Sequence, residues 1–304
     1  MAAVPVTELG TLNRLTNIRV AAAAQSEIKT GSGTISLNWP LNVQTENSFF
    51  ARKVFHHEII DMKAFVANDD VWTLNSQSSS QWDGLRHFGY QKEALFYNGV
   101  TMDDIHGSDA NGYKKSTNGI QAWSDQGIVG RGVLVDWYGW KTSQTGATVP
   151  DPFTSVSIPI SELKATLAAQ GTELKFGDIL FIRSGFIKAY TAKPGPELLE
   201  IKGHAPQHTV IGVEQSTDTL KWIWENFSAV AGDMLTFETW PLVKPVVLHE
   251  ILLAGWGCPI GELFDLEKLA EHCKNEARWS FFVASEPCNV PGGVASPPNI
   301  LAIF

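Results

Sequence analysis

Ser76-Gln77-Ser78-Ser79-Ser80-Gln81-Trp82-Asp83-Gly84-Leu85-Arg86-His87-Phe88-Gly89 crowds amides, hydroxyls, a carboxylate, a guanidinium and an imidazole into one short span. Its apolar residues follow neither a helical nor an alternating period, so the composition argues against a core strand. Asp83 and His87 stand four apart. On a helical face, or across a tight turn, such a pair can meet and share a proton or a metal ion. Flanked by Trp82 and Phe88, the polar groups suit a half-buried reactive wall, with Arg86 beside them as a further substrate contact. The plainer alternative is a Ser-rich loop that caps a helix, with Asp83 as the cap and His87 merely hydrogen-bonded.

A second polar constellation lies far along the chain, in His249-Glu-Ile-Leu-Leu-Ala-Gly-Trp-Gly-Cys-Pro-Ile-Gly-Glu262. An imidazole opens one apolar helix, and a carboxylate stands just before the next helical pattern, which runs from Ile260 toward Leu269. Two such groups can converge, although Glu262 also suits the N-terminal charge of a helix. The strand expected at Ala229–Asp233 leads to Asp233, Glu238 and Trp240 as further candidates. After His87, the loop Gly89–Gly99 brings Tyr90, Phe96 and Tyr97, aromatic groups able to wall a pocket.

These segments resemble the cyclase family, which includes bacterial kynurenine formamidase and isatin hydrolase. The family's His-x-Gly-Thr-His-x-Asp-x-Pro-x-His signature lays its aspartate on Asp83 and its last histidine on His87. Its earlier histidines fall on Gln77 and Gln81, and its Gly-Thr on Ser79-Ser80. The Gln-Trp-Asp-x-x-x-His form resembles a divergent, fungal-type branch of the family. Phe176-Gly-Asp-Ile-Leu-Phe-Ile-Arg-Ser-Gly185 resembles its Gly-Asp-x-x-x-x-Arg-Thr-Gly strand, and His249…Glu262 its ligand-bearing segment. The matches fall in order over residues 70–304. Residues 1–70 read as an N-terminal arm and lead-in, part of the same domain or an oligomer contact, and 71–304 as the catalytic domain.

The resemblance implies an α/β single domain with a mixed, partly barrel-like sheet covered by helices, and the strand–helix alternation after residue 130 agrees. It also implies a homo-oligomer. The function it implies is hydrolysis of an amide, lactam or lactone in a small aromatic compound, with one divalent metal ion, Zn2+ or Mn2+. Asp83, His249 and Glu262 would be the ligands and His87 the proton carrier, with Gln81 and Ser80 as pocket groups. Trp82, Arg86, Phe88, Tyr97, Glu238 and Trp240 would contact the substrate. Should Gln77 and Gln81 abolish the metal site, the same scaffold implies a metal-free cyclase, dehydratase or isomerase working through Asp83 and His87. The third reading is a binding protein without catalysis.

Composition bounds the rest. The 304 residues, 44% hydrophobic, supply a sizeable core, and a net charge of −9 without a basic run argues against nucleic acid and anionic membranes as partners. Three cysteines without Cys-x-x-Cys spacing fit neither a disulfide framework nor a zinc site, which suggests a reducing, cytoplasmic setting. His56-His57 are adjacent, so their rings diverge. His204 and His208 are spaced to chelate on a helix, but Pro206 between them argues against a regular one.

Overall fold

Asp178-Ile-Leu-Phe-Ile182 carries no polar residue after its first, the pattern of a strand buried on both faces. In the computed structural model, which describes residues 7–29, 31, 33–204, 207–242 and 245–304, that segment lies at the middle of a nine-stranded sheet. In chain order the strands are β1 (Thr34–Ser36), β2 (His56–Asp61), β3 (Asn68–Thr73), β4 (Gln81–Asp83), β5 (Ile128–Val135), β6 (Ser157–Ile158), β7 (Asp178–Ile182), β8 (Gly212–Val213), β9 (Phe227–Gly232), β10 (Ile260–Glu262), β11 (Ser280–Ser285), β12 (Ala295–Ser296) and β13 (Ile300–Ile303). The large sheet runs β1-β13-β11-β5-β7-β9-β10-β4-β12. β5, β7, β9 and β10 are parallel at its centre, and antiparallel pairs flank them on both sides.

The two-residue period of a strand splits the core into two layers. Ile179 and Phe181 of β7 pack with Trp82, Phe264, Phe281 and the 267–276 helix residues Leu269 and Cys273. Leu180 and Ile182 face the other way, onto Leu163 and Leu167 of the helix Ile160–Gln170 and Trp222 and Ile223 of the helix Thr217–Asn226. The protein is therefore a single mixed α/β domain, its sheet covered by helices.

Several expectations change. Gln81–Asp83 is a core strand after all, wholly buried as β4, because its polar side chains find partners inside the sheet. Ile260–Glu262 is a strand and not a helix lead-in; the helix starts only at Glu267. Ala295–Ser296 and Ile300–Ile303, on either side of Pro297-Pro298, form β12 and β13. Pro159 takes the N-cap of the helix Ile160–Gln170 without a side-chain bond, and Glu214 Oε2 accepts from the Ile160 N–H. From the arm, β1 pairs with β13, and Thr11 donates to the Ser228 carbonyl. Among the described residues β2 and β3 pair only with each other, as an exposed hairpin showing Ile59, Phe65 and Trp72. On it His57 pairs with exposed Asp70.

Asp233, at the exit of β9, ties that strand to the exit of β7. Its carboxylate accepts from Ser184 N and Oγ and from Gly185 N. It is a structural group and is absent from the residues lining the cavity described below. Burial pushes it up to about 6, against those donors. Between about pH 4 and 6 the folded state thus keeps a proton that the unfolded chain has lost, so stability falls as pH rises through that window, by up to about 3 kcal/mol from this group. Denaturant titrations across the window should show a flatter pH dependence for Asp233→Asn than for the parent; equal slopes would contradict the assignment.

The turn after β4 needs a glycine for a steric reason. Gly84 N donates to the Val294 carbonyl at 3.0 Å, and an added Cβ would lie 2.6 Å from that oxygen. Gly84→Ala should cost about 1–3 kcal/mol in chemical denaturation; an unshifted midpoint would contradict the close approach.

Candidate functional site

Trp82 enters the core beside Phe264 and donates its indole N–H to Ser285. Strand alternation therefore turns Gln81 and Asp83 to the opposite face. Across the ladder, Glu262 of β10 pairs with Gln81, and Ile260 with Asp83, so three polar side chains share one buried patch. Upstream, the Asn75 side chain accepts from Gln77 N and its carbonyl from Ser78 N. This turn swings the Gln77 amide back to donate to Asp83 Oδ1 in a short hydrogen bond. Gln81 Nε2 donates to Gln77 Oε1 at 3.2 Å and to Glu262 Oε2 at 2.9 Å. Phe237 N donates to Glu262 Oε1 at 2.9 Å. Two buried acceptors remain without a partner, Asp83 Oδ2 and Gln81 Oε1.

His249 comes from the opposite side, at the start of a π-type turn, Glu250–Gly255. Its position is set by Glu238, whose oxygens accept from the backbone N–H groups of Leu248 and His249 at 2.5 and 2.8 Å and from Gln215 Nε2 at 2.8 Å. A carboxylate at a helix N-terminus is stabilised by those free N–H groups and by the dipole. His249 Nδ1 donates to Glu238 Oε1 at 2.8 Å, which leaves Nε2 3.2 Å from Glu262 Oε1 and 3.7 Å from Asp83 Oδ2. Burial works against the imidazolium, yet the surrounding carboxylates of Asp83, Glu238 and Glu262 hold His249 well above the usual histidine range. Asp83 and Glu238 show the converse: burial raises each, but the neighbouring histidines hold both below the ordinary carboxylate range.

His87 follows the Gly84 turn, with Nε2 3.8 Å from Asp83 Oδ2. Burial outweighs the pull of Asp83 and lowers its pKa, keeping the ring neutral. Among the described residues no hydrogen bond orients this ring. Its side chain is 20% exposed, against 9% for His249 and none for Asp83.

Asp83, His87 and His249 each offer a ligand atom, all within 4.8 Å of one another. Ligands about 2.0–2.2 Å from one ion stand roughly 3–3.5 Å apart, close to the 3.2 and 3.7 Å separations around His249 Nε2. The orphaned Asp83 oxygen and a carboxylate-oriented imidazole, with His87 beside them, thus form a donor set that fits a divalent cation.

Above this floor opens a cavity of about 280 Å³, lined by Phe50, Phe88, Trp240, Leu242 and Arg52 beside His87, His249, Glu238 and Glu262. Phe88 stands edge-on to His249 at 5.6 Å, and Trp240 edge-on to Phe50 at 5.4 Å. Of the expected contacts, the structure brings Phe88, Glu238 and Trp240 here but places four others elsewhere. Ser80 Oγ donates to the Leu263 carbonyl and accepts from Trp39 N, and Trp82 belongs to the core. Tyr97 packs against the first core layer, its carbonyl accepting from Asn118. Arg86 donates to the carbonyls of Thr117, Gly292 and Lys115 at 2.6–2.8 Å. His208 is taken up as well, accepting from Phe50 N, while Pro206 lies outside the described residues. Sequence reasoning missed Phe50 and Arg52, which precede the hairpin.

The sequence model of the Cyclase family matches residues 34–239, so the match takes in Phe50 and Arg52, outside the expected span of 70–304. Among solved structures, a crystal structure of a novel cyclase is similar over 98% of this chain and 96% of its own, with 30% identity and a TM-score of 0.81. Isatin hydrolase A from Ralstonia solanacearum aligns over 100% of both chains with 14% identity and a TM-score of 0.57. An isatin hydrolase bound to the product analogue thioisatinate covers 94% of this chain and 96% of its own, with 12% identity and a TM-score of 0.59. At those identities the isatin hydrolases share the fold. No curated protein matches the chain.

With three carbonyls to lose, Arg86→Ala should destabilise the fold by about 2–4 kcal/mol and leave ligand binding by the folded fraction unchanged. A stable variant with weakened ligand binding would return Arg86 to the site.

Proposed function

The chain belongs to the Cyclase family, and from that membership we propose that it is a hydrolase of an amide, lactam or lactone bond in a small aromatic compound, assisted by one divalent ion. The observation that carries the reading is an orphaned buried acceptor, Asp83 Oδ2, 3.7 Å from the Nε2 of an imidazole already oriented through its other nitrogen. The residues that would hold the ion are Asp83, His249 and Glu262, with the Gln81 carbonyl as a neutral oxygen. Glu238 fixes the His249 tautomer that leaves Nε2 free to ligate. When bound, the ion supplies Lewis-acid polarisation of the scissile carbonyl.

His87 does the proton work. Metal-binding histidines are ordinarily held by a hydrogen bond on their second nitrogen; His249 has one, and among the described residues His87 has none. A neutral ring, more exposed to the cavity than the ligands, can take a proton at Nε2 from the attacking water and pass it to the leaving nitrogen or oxygen. Phe88, Phe50 and Trp240 offer flat apolar walls to an aromatic ring and exclude bulk water from the floor.

The test is turnover of a panel of aryl formamides, lactams (isatin among them) and aryl lactones, with and without chelator. Hydrolysis should vanish on chelation and return with one added metal. His87→Ala should lower kcat by about 10²–10⁴-fold at unchanged metal content. Chelator-insensitive turnover would instead support the metal-free acid–base enzyme, and metal loss in His87→Ala would make that residue a ligand.

A further inference from the structure

The reading so far leaves one cationic side chain of the cavity unused. A guanidinium offers five N–H donors and keeps its charge at any physiological pH. Arg52 spends one, from Nη1 to the Gln77 carbonyl at 2.9 Å, and lies over the Phe50 ring at 5.0 Å. Among the described residues no carboxylate oxygen comes within ion-pairing distance of it, although Asp83 and Glu262 are near enough to act on it through space. Its remaining donors belong to a residue that lines a mainly apolar cavity, where an unpaired charge is costly unless a ligand neutralises it.

The backbone that delivers Arg52 is built for the purpose. Phe50 and Ala51 sit consecutively in the left-handed region, with φ of 59° and 54°, a conformation that persists in non-glycine residues only where the surroundings enforce it. Here they do. Phe50 N donates to His208 Nε2 at 2.9 Å and Phe49 N to Gln44 Oε1 at 3.0 Å. Gln44 in turn donates to the Ser78 carbonyl at 2.7 Å, and Ser48 Oγ makes a short bond to the Arg52 carbonyl. The strained loop is thereby stapled to the same 77–78 segment that positions Asp83.

We propose that Arg52 anchors a carboxylate carried by the substrate, so that the compound taken is an anionic aromatic amide, lactam or lactone. The planar fork suits two carboxylate oxygens, and the ring would lie among Phe50, Phe88 and Trp240. A cavity of about 280 Å³ is at the small end for ligand sites and suits one or two fused rings. This inference rests on the hydrolase reading for the bond cleaved, but not for the anchor.

Calorimetric titration of the metal-loaded protein with benzoate and with benzamide tests it, using the parent, Arg52→Ala and Arg52→Lys, with metal content measured alongside. The parent should prefer benzoate by about tenfold or more. Arg52→Ala should lose that preference with benzamide binding and metal content unchanged, and Arg52→Lys should recover only part of it. Repeating the titrations on chelated protein removes any contact between carboxylate and ion, and the Arg52-dependent preference should persist. An Arg52→Ala variant that still prefers benzoate, with or without metal, would overturn the anchor. A protein that takes up no metal yet shows the Arg52-dependent preference would leave the anchor standing and fail the hydrolase reading alone.

Discussion

The antiparallel register between β4 and β10 sets Gln81 opposite Glu262 and Asp83 opposite Ile260, and the chemistry of the cavity floor descends from it. Because side chains alternate across a strand, one slip of a residue would send Asp83 and Gln81 into the first core layer and bring Trp82 to the site. Trp82 makes such a slip costly, since its ring fills the space against Phe264 and its N–H reaches Ser285. Polar residues so deep in a sheet are tolerable because they bond one another. The Gln77–Gln81–Glu262 chain of amide and carboxylate contacts, with the Gln77 bond to Asp83, leaves only Asp83 Oδ2 and Gln81 Oε1 of these side chains without a partner among the described residues.

Glu238 is the second fixed point. One carboxylate satisfies two backbone N–H groups at a helix start, a glutamine amide and the His249 ring. That links helix placement to imidazole orientation, so the ring cannot turn without breaking the cap. Around His249 stand three carboxylates, Asp83, Glu238 and Glu262, with Arg52 acting on two of them through space. The raised affinity of His249 for a proton is the mark of that imbalance, and a divalent cation would relieve the same imbalance.

The polar groups Asp83, His87, His249 and Glu262 were legible in the sequence because residues of those types, clustered in short spans, have few reasons to be there. Strand β9 was legible at Ala229–Asp233, and β7 within the Phe176–Gly185 resemblance, both as apolar runs. β4 was not, since a three-residue strand with two polar members carries no pattern until its partners are known. Trp82, Arg86 and Ser80 sat beside the reactive groups in sequence, but alternation and turns carried them into packing and carbonyl clamps. Phe50 and Arg52 failed to stand out for the opposite reason: they reach the cavity from before an exposed hairpin, by way of a left-handed loop that no local propensity announces.

The central claim is that His249 and Asp83 are metal ligands rather than an ion pair. Anomalous X-ray diffraction from crystals grown with Mn2+ or Zn2+ addresses it directly. The account predicts one ion about 2.0–2.2 Å from His249 Nε2 and Asp83 Oδ2, with the Glu238 bond to Nδ1 retained. Crystals with no ion at that point, and His249 Nε2 still paired with the Glu262 carboxylate, would contradict it.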